Sequence, residues 1–180
     1  MLKVKKDGKY GLVDYKGKKI ADCIYDEIVA LKGTANSLLT TKEGKKGIID
    51  NTGAVILENK YKSIQAFSEK YENGYIVQVD NGKYGVMNWN KTVALETKYD
   101  QIKPIYASGD YYVVKTNGKW KVVDTVGGSY LEGKFDDIKS INDDYAVIKK
   151  DGKYGGLTLD NTTLEEIMLY YVNAEKKEWT

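Results

Sequence analysis

The sequence predicts an all-β protein made of five tandem units of about 36 residues. Three observations predict it. The seven residues KKDGKYG stand at 5–11 and again at 149–155. Between the two copies runs a glycine ladder, Gly8, Gly44, Gly82, Gly118 and Gly152, with spacings of 36, 38, 36 and 34 residues. A period in this range marks repeated structural units. Finally, no segment sustains a 3.6-residue apolar period, whereas β-branched and aromatic residues are dense throughout. The units fall at approximately 1–36, 37–74, 75–110, 111–144 and 145–180 and form a single repeat domain.

Each unit opens on a strand such as YIVQV (75–79), YYVVK (111–115) or YAVIK (145–149), led by Tyr75, Tyr111 and Tyr145. A two-residue turn follows: Asp7-Gly8, Asn81-Gly82, Asn117-Gly118 or Asp151-Gly152. Asn-Gly and Asp-Gly suit a type I′ turn because both central residues need positive φ; Glu43-Gly44 in copy two fits less well. The second strand, such as KYGVM (83–87), begins on the column Tyr10, Lys46, Tyr84, Trp120 and Tyr154, followed by Gly11, Gly47, Gly85, Lys121 and Gly155. The small residue leaves room for a neighbouring ring or backbone. Tyr10 and Leu12 lie on one face and Val13 on the other, so both faces are apolar and both need cover. One unit cannot supply that cover, so the units must pack on one another.

A second tight turn runs Asp14-Tyr-Lys-Gly17 or Asp50-Asn-Thr-Gly53. The carboxylate accepts backbone N–H bonds, and the glycine tolerates the left-handed conformation. A third strand then reaches the column Tyr25, Tyr61, Tyr99, Phe135 and Leu169. A short fourth carries Ile28, Ile64, Ile102, Ile138 and Val172. TLEEIMLYYV (163–172) has helical propensity, but the repeat register makes it the third strand of copy five. The expected arrangement is an open, solenoid-like array, with a small closed β-propeller as the alternative. Copy five is eroded, as a capping end would be, and copy one is not.

The pattern G-K-aromatic-G-apolar-apolar-Asp-x-x-G followed by Tyr-Asp-x-Ile resembles the WG-repeat (KWG-type) proteins of bacteria. It is carried by GKYGLVDYKG (8–17) with IYDEI (24–28), and by GKYGVMN (82–88) with KYDQI (98–102). The sequence departs from that family in having no Trp-Gly dipeptide, since Lys121 follows Trp120. Its single proline, Pro104, is not in the third strand. The resemblance implies a bacterial β-repeat module, often joined to other domains, without an established catalytic activity, and it supplies no catalytic residues. The compartment is left open, leaning toward an extracellular or cell-surface setting, for which a leader would have been removed before this chain begins. The N-terminus MLKVKKDGK is itself too charged to be a signal peptide.

Composition narrows the function. Net charge is +2, every basic residue is Lys, and Arg and His are absent. Without Arg there is no bidentate fork for guanine or phosphate, which argues against nucleic acid. Without His the commonest general base and metal ligand are missing. The lone Cys23 excludes a disulfide framework and a Cys-rich zinc site, and is expected as a small buried hydrophobe. No apolar run is long enough to span a bilayer as a helix.

The column Asp14, Asp50, Asn88, Asp124 and Thr158 invites a metal or acid–base reading. Identical turn positions give identical environments, however, whereas a catalytic pair needs different ones, so turn capping is the expected role. Asp136-Asp137 and Asp143-Asp144 come nearest to a calcium loop and read as solvated loop acids. Thr125-Val126-Gly127-Gly128 lacks the Lys-Ser/Thr of a phosphate loop. No enzyme, cofactor or metal is expected. Most of the 16 tyrosines sit in repeat columns and belong to the core. Those outside the columns are the candidates for binding: Trp89 and Tyr15, at equivalent turn positions, and Tyr106, beside Ala107-Ser108-Gly109. An exposed aromatic anchors a protein partner or stacks on a sugar. The leading function is a protein-interaction or scaffolding module, and the alternative is a cell-wall or host glycan binder.

Overall fold

The computed structural model describes residues 1–67, 74–103, 111–124, 128–140, 145–158 and 170–172. Among them every regular element is a strand, and the strands form small antiparallel sheets, none closed into a barrel. The first sheet joins β1 (Leu2–Lys6), β2 (Lys9–Val13) and β3 (Lys19–Tyr25). The second joins β4 (Glu27–Ala30), β5 (Ser37–Lys42), β6 (Lys45–Asp50) and β7 (Val55–Tyr61). The third joins β8 (Ser63–Ala66), β9 (Tyr75–Gln78), β10 (Tyr84–Met87) and β11 (Val93–Tyr99). The fourth joins β12 (Gln101–Lys103), β13 (Tyr111–Thr116), β14 (Lys119–Asp124) and β15 (Ser129–Phe135). The fifth joins β16 (Asp137–Ser140), β17 (Tyr145–Lys150), β18 (Lys153–Thr158) and β19 (Tyr170–Val172). The chain forms two compact units, Met1–Lys98 and Tyr99–Thr180.

The short Ile-column strand of each copy pairs with the first strand of the next copy. Ile28 faces Thr40, Ile64 faces Val77, Ile102 faces Val114 and Ile138 faces Ile148. The chain therefore crosses between sheets through one residue, at Asp26, Lys62, Asp100 or Asp136. In each case that residue's N–H donates to a carbonyl of the next sheet: Thr41, Gln78, Lys115 and Lys149, at 2.7–2.9 Å.

Packing between sheets explains the two-faced second strand. In the first unit, Ile49 joins Leu12, Tyr25 and Ile28, while the adjacent Ile48 joins Leu57, Tyr61, Ile64 and Tyr75. Consecutive residues of β6 thus serve two interfaces, as alternation along a strand requires. The glycine of the second strand faces a bulge in the third. Tyr10 pairs with Tyr25 but Leu12 with Ala21, and the same offset recurs between Lys46–Tyr61 and Ile48–Leu57. A Cβ on Gly11 would lie 2.6 Å from the Ala21 carbonyl oxygen, and one on Gly47 2.7 Å from that of Leu57. Copy four reverses the arrangement. Lys121 replaces the glycine on β14, and the bulge between Leu131 and Phe135 contains Gly133.

Several expectations are corrected. Glu43-Gly44 adopts the type I′ conformation, with φ of 52° and 76°. Asn81-Gly82 does not. Val79 pairs with Lys83 across a three-residue loop in which Gly82 alone has positive φ and donates to the Val79 carbonyl at 2.9 Å. The extra residue accounts for part of the long 38-residue spacing and shifts the first strand by one. Tyr75 pairs with Met87, so it matches Tyr112, which pairs with Val123, and not Tyr111, which pairs with Asp124. In copy five, Tyr154 faces Val172 as Tyr10 faces Tyr25, so Val172 holds the Tyr/Phe column rather than the Ile column. Residues 170–172 are third strand as expected, and Leu169 lies outside the described residues. Cys23 sits in the β3 bulge, where irregular pairing leaves it half-buried rather than buried.

Candidate functional site

Turn capping engages the described carboxylates of the Asp column, Asp14, Asp50 and Asp124. Asp14 Oδ1 accepts from the N–H groups of Lys16 and Lys18, both at 2.8 Å. Asp50 Oδ1 accepts from Thr52 N–H (2.8 Å), the Thr52 hydroxyl (2.6 Å) and Ala54 N–H (2.9 Å). Burial opposes ionisation of Asp50, but these bonds outweigh it and hold its carboxyl below the ordinary range. Asp124 accepts from Gly128 N–H at 2.7 Å. Among the described residues no group of acids, Cys or His is arranged to hold a metal.

The junction aspartates make a second repeated device. Asp26 accepts from Lys9 Nζ in the first sheet, and its other oxygen accepts from Glu43 N–H at 2.7 Å in the second. Asp136 joins Lys119 to Gly152 N–H (3.4 Å) in the same way, and Asp100 caps Asn117 N–H at 2.8 Å. Lys9 and Lys119, each following a ladder glycine, thus grip the aspartate that caps the next turn. At the third sheet the junction residue is Lys62, which cannot accept. There Lys45 pairs with Asp80, within the three-residue loop. The loss of the carboxylate cap coincides with the one turn among these that departs from type I′.

Hydrogen bonds from Lys9 and Glu43 lower the Asp26 carboxyl below its ordinary 3.8, and those from Lys119 and Gly152 lower Asp136. A group lowered on folding contributes stability that is complete above its unfolded pKa and is lost as pH falls through the folded value. Thermal melts should show a midpoint that is flat from about pH 5 to 8 and falls below about pH 4. The pair Asp26→Asn and Asp136→Asn should lower the midpoint at pH 7 and flatten the acid limb. An unchanged acid limb would remove these two groups from the account.

The aromatics outside the columns behave differently. Tyr15 and Trp89 occupy the same position of the second tight turn in the first and third sheets, and are 83% and 66% exposed. Their turns point a ring outward because the backbone is closed by other groups. Lys91 N–H donates to the Asn88 carbonyl at 3.0 Å, with Lys91 at φ 72°, where Gly17 and Gly53 stand in the other copies. Trp89 borders a cleft of about 450 Å³, with Thr34, Asn36, Ser37, Ile56, Gly74 and Tyr75. The buried Ser37 hydroxyl and Tyr75 hydroxyl are 2.7 Å apart, Thr34 Oγ1 donates to the Leu31 carbonyl at 2.9 Å, and Asn51 donates to Asn36 Oδ1 at 3.1 Å. Gly74 cannot carry a side chain, since a Cβ would lie 2.3 Å from the Met87 carbonyl oxygen. Every described lining residue is uncharged.

Tyr15 is not part of the cleft lining, and Tyr106 lies outside the described residues, as do Asp143-Asp144 and Thr125 to Gly127. Sequence reasoning missed Thr34, Asn36, Ser37 and Tyr75. The available signal was Tyr75 itself. A buried tyrosine hydroxyl needs a partner, and the register shift in the third sheet brings it to Ser37.

Four segments, 10–33, 47–84, 84–120 and 122–154, match the family described as WG containing repeat. The chain belongs to that family. The matched segments begin at the second-strand aromatic column or close beside it, the part of the WG repeat that the Gly-to-bulge contact fixes. No curated protein matches the chain. Among solved structures, the computationally designed Ika8 protein is similar over 84% of this chain, at 16% identity and a TM-score of 0.45. The chain spans 53% of the length of that design, and a likeness this loose says nothing of function.

Proposed function

We propose that this WG-repeat chain is a non-catalytic recognition module that holds a protein partner through the cleft at Trp89. One observation carries the reading: a largely exposed indole borders an uncharged cleft of about 450 Å³. Indoles are the side chains most enriched at the energetic centres of interfaces, and concave sites with a few polar groups are where ligands seat. The non-catalytic part of the reading is supported by the carboxylates. Those with resolved shifts, Asp26, Asp50 and Asp136, are all lowered and already engaged by lysines or backbone, whereas a general acid needs its pKa raised. A chain of net charge +2 whose basic residues are all lysine also fits a partner other than nucleic acid.

A second reading, a neutral glycan, is favoured by the hydroxyl and amide groups of Thr34, Asn36, Ser37 and Tyr75 beside the indole. Stacking on a sugar face with polar groups alongside needs no charge. Partner capture with mass spectrometry and a glycan array, each run on the native chain and on Trp89→Ala, separate the two. The expected result is an affinity loss of about 2 kcal/mol or more for the bound class. The thermal unfolding free energy should change by less than about 1 kcal/mol. Equal binding by both proteins would overturn the cleft as the site.

A further inference from the structure

The second tight turn is closed in one way in the first, second and fourth sheets. The N–H groups of Lys18, Ala54 and Gly128 donate to the carboxylates that open it, Asp14, Asp50 and Asp124, at 2.7–2.9 Å. The third sheet breaks the rule. Its turn opens on Asn88, and Thr92 N–H donates instead to Asn90 Oδ1, two residues back, at 3.1 Å. The Thr92 hydroxyl donates to the same oxygen at 2.6 Å and accepts from Asn88 Nδ2 at 2.9 Å. A backbone N–H can only donate, so it turns Oδ1 of Asn90 toward Thr92 and Nδ2 away. Among the described residues that Nδ2 has no hydrogen-bond partner, and Asn90, Lys91 and Thr92 are all exposed.

The turn tip is thus built around Asn90-Lys91-Thr92, an asparagine followed two residues later by a hydroxyl. That pattern is the acceptor sequence for N-linked sugars, which belongs on a surface loop and excludes proline from its middle position. Asn161-Thr162-Thr163 has the same pattern and lies outside the described residues. We propose that Asn90 is a glycosylation site, whose Nδ2 accepts a sugar from an activated sugar diphosphate. An amide nitrogen is a weak nucleophile because its lone pair is shared with the carbonyl. It gains strength as it gives up a proton, and charge then gathers on Oδ1, where the Thr92 N–H and hydroxyl already point. In the transfer, Nδ2 forms a bond to the anomeric carbon, and its proton passes to a base of the transferase. The bond from that carbon to the diphosphate oxygen breaks, and its electron pair leaves with the diphosphate. Asn51, one position earlier in the second sheet's turn, is the internal contrast. It lacks the hydroxyl two residues on, and its amide already donates to Asn36 Oδ1 at 3.1 Å.

The test uses the full folded chain and two purified transferases, one taking a nucleotide-linked glucose and the other a lipid-linked oligosaccharide. The two arms distinguish a soluble donor from a membrane-borne one. The expected result is the mass of a sugar added to the tryptic peptide 84–91, with fragmentation placing it on Asn90. Asn90→Gln should abolish that addition. Thr92→Val should slow it about a hundredfold, as loss of one such donor does, whereas Thr92→Ser keeps the hydroxyl and should retain it. The chain isolated from its own cells should carry the same modified peptide. No transfer from either donor, addition at Asn161 alone, equal transfer to Thr92→Val, or an unmodified peptide in the chain from its own cells overturns the proposal. Should a variant unfold, the peptide mapped from the unsubstituted chain decides alone. Failure here leaves the Trp89 cleft untouched, since neither Asn90 nor Thr92 lines it.

Discussion

Truncating Tyr61 to alanine should lower the unfolding free energy by about 3–5 kcal/mol, the range for deleting a large buried side chain. Tyr61 is 4% exposed and packs with Ile48 and Leu57 of the second sheet, Ile64, Tyr75 and Val77 of the third, and Leu31 just after β4. Its ring therefore fills the space between two sheets that share no strand pairing. In a repeat protein the nearest-neighbour interface supplies much of the stability, so the loss should also weaken the coupling between those sheets. Tyr61→Phe keeps the ring and should cost less than about 1 kcal/mol, as volume-conserving changes do. Urea unfolding monitored by circular dichroism reads both. If Tyr61→Ala lost under about 1 kcal/mol, the aromatic column would not be what holds the sheets together.

Tyr61 also shows what the sequence makes legible. Its column, the ladder glycines and the apolar second strand are local or periodic signals, and each maps onto one element. Burial on both faces of β6 follows from the same alternation, since Ile48 and Ile49 cannot point the same way. The loop at Asp80-Asn81-Gly82 was harder. Asn-Gly is the stronger type I′ signal and Glu-Gly the weaker, yet the structure reverses them. A remote group differs between the two turns. Asp26 caps the Glu43 turn from 17 residues away, and Lys62 has no carboxylate to offer the next one. The 38-residue spacing was the visible trace of the extra loop residue.

Other features were not legible at all. Sequence order does not say that the Ile-column strand joins the following sheet, because a one-residue junction leaves either pairing open. The family resemblance held, through columns that tolerate Tyr, Lys or Trp before the glycine. For the candidate site, the exposure of Trp89 and Tyr15 was foreseen from their place in a turn rather than a column. The cleft was not, because Ser37 and Tyr75 are 38 residues apart and meet only after the register shift.

The second large effect is expected at Gly53, and its two counterparts supply the controls. Gly17, Gly53 and Lys91 occupy the same position of the same turn in the first three sheets, with φ of 83°, 87° and 72°. A side chain is possible there, as Lys91 shows, at a conformational cost of about 1–2 kcal/mol. Gly17 has nothing within 4 Å of an added Cβ, so Gly17→Ala should cost only that. An added Cβ on Gly53 would lie 2.0 Å from the Ile20 carbonyl oxygen and 2.9 Å from its carbon, both backbone atoms of β3. Neither can swing aside as a side-chain tip would, so the second sheet must move off the first. Overpacking of this kind adds about 1–3 kcal/mol, which puts Gly53→Ala at about 3 kcal/mol or more. The difference between the two alanine variants, measured by the same urea titration, isolates the approach of the 50–53 turn to Ile20. Equal losses would mean that the first two sheets are not in contact there. A larger loss at Gly53 would locate their closest fit at a backbone contact that glycine alone permits.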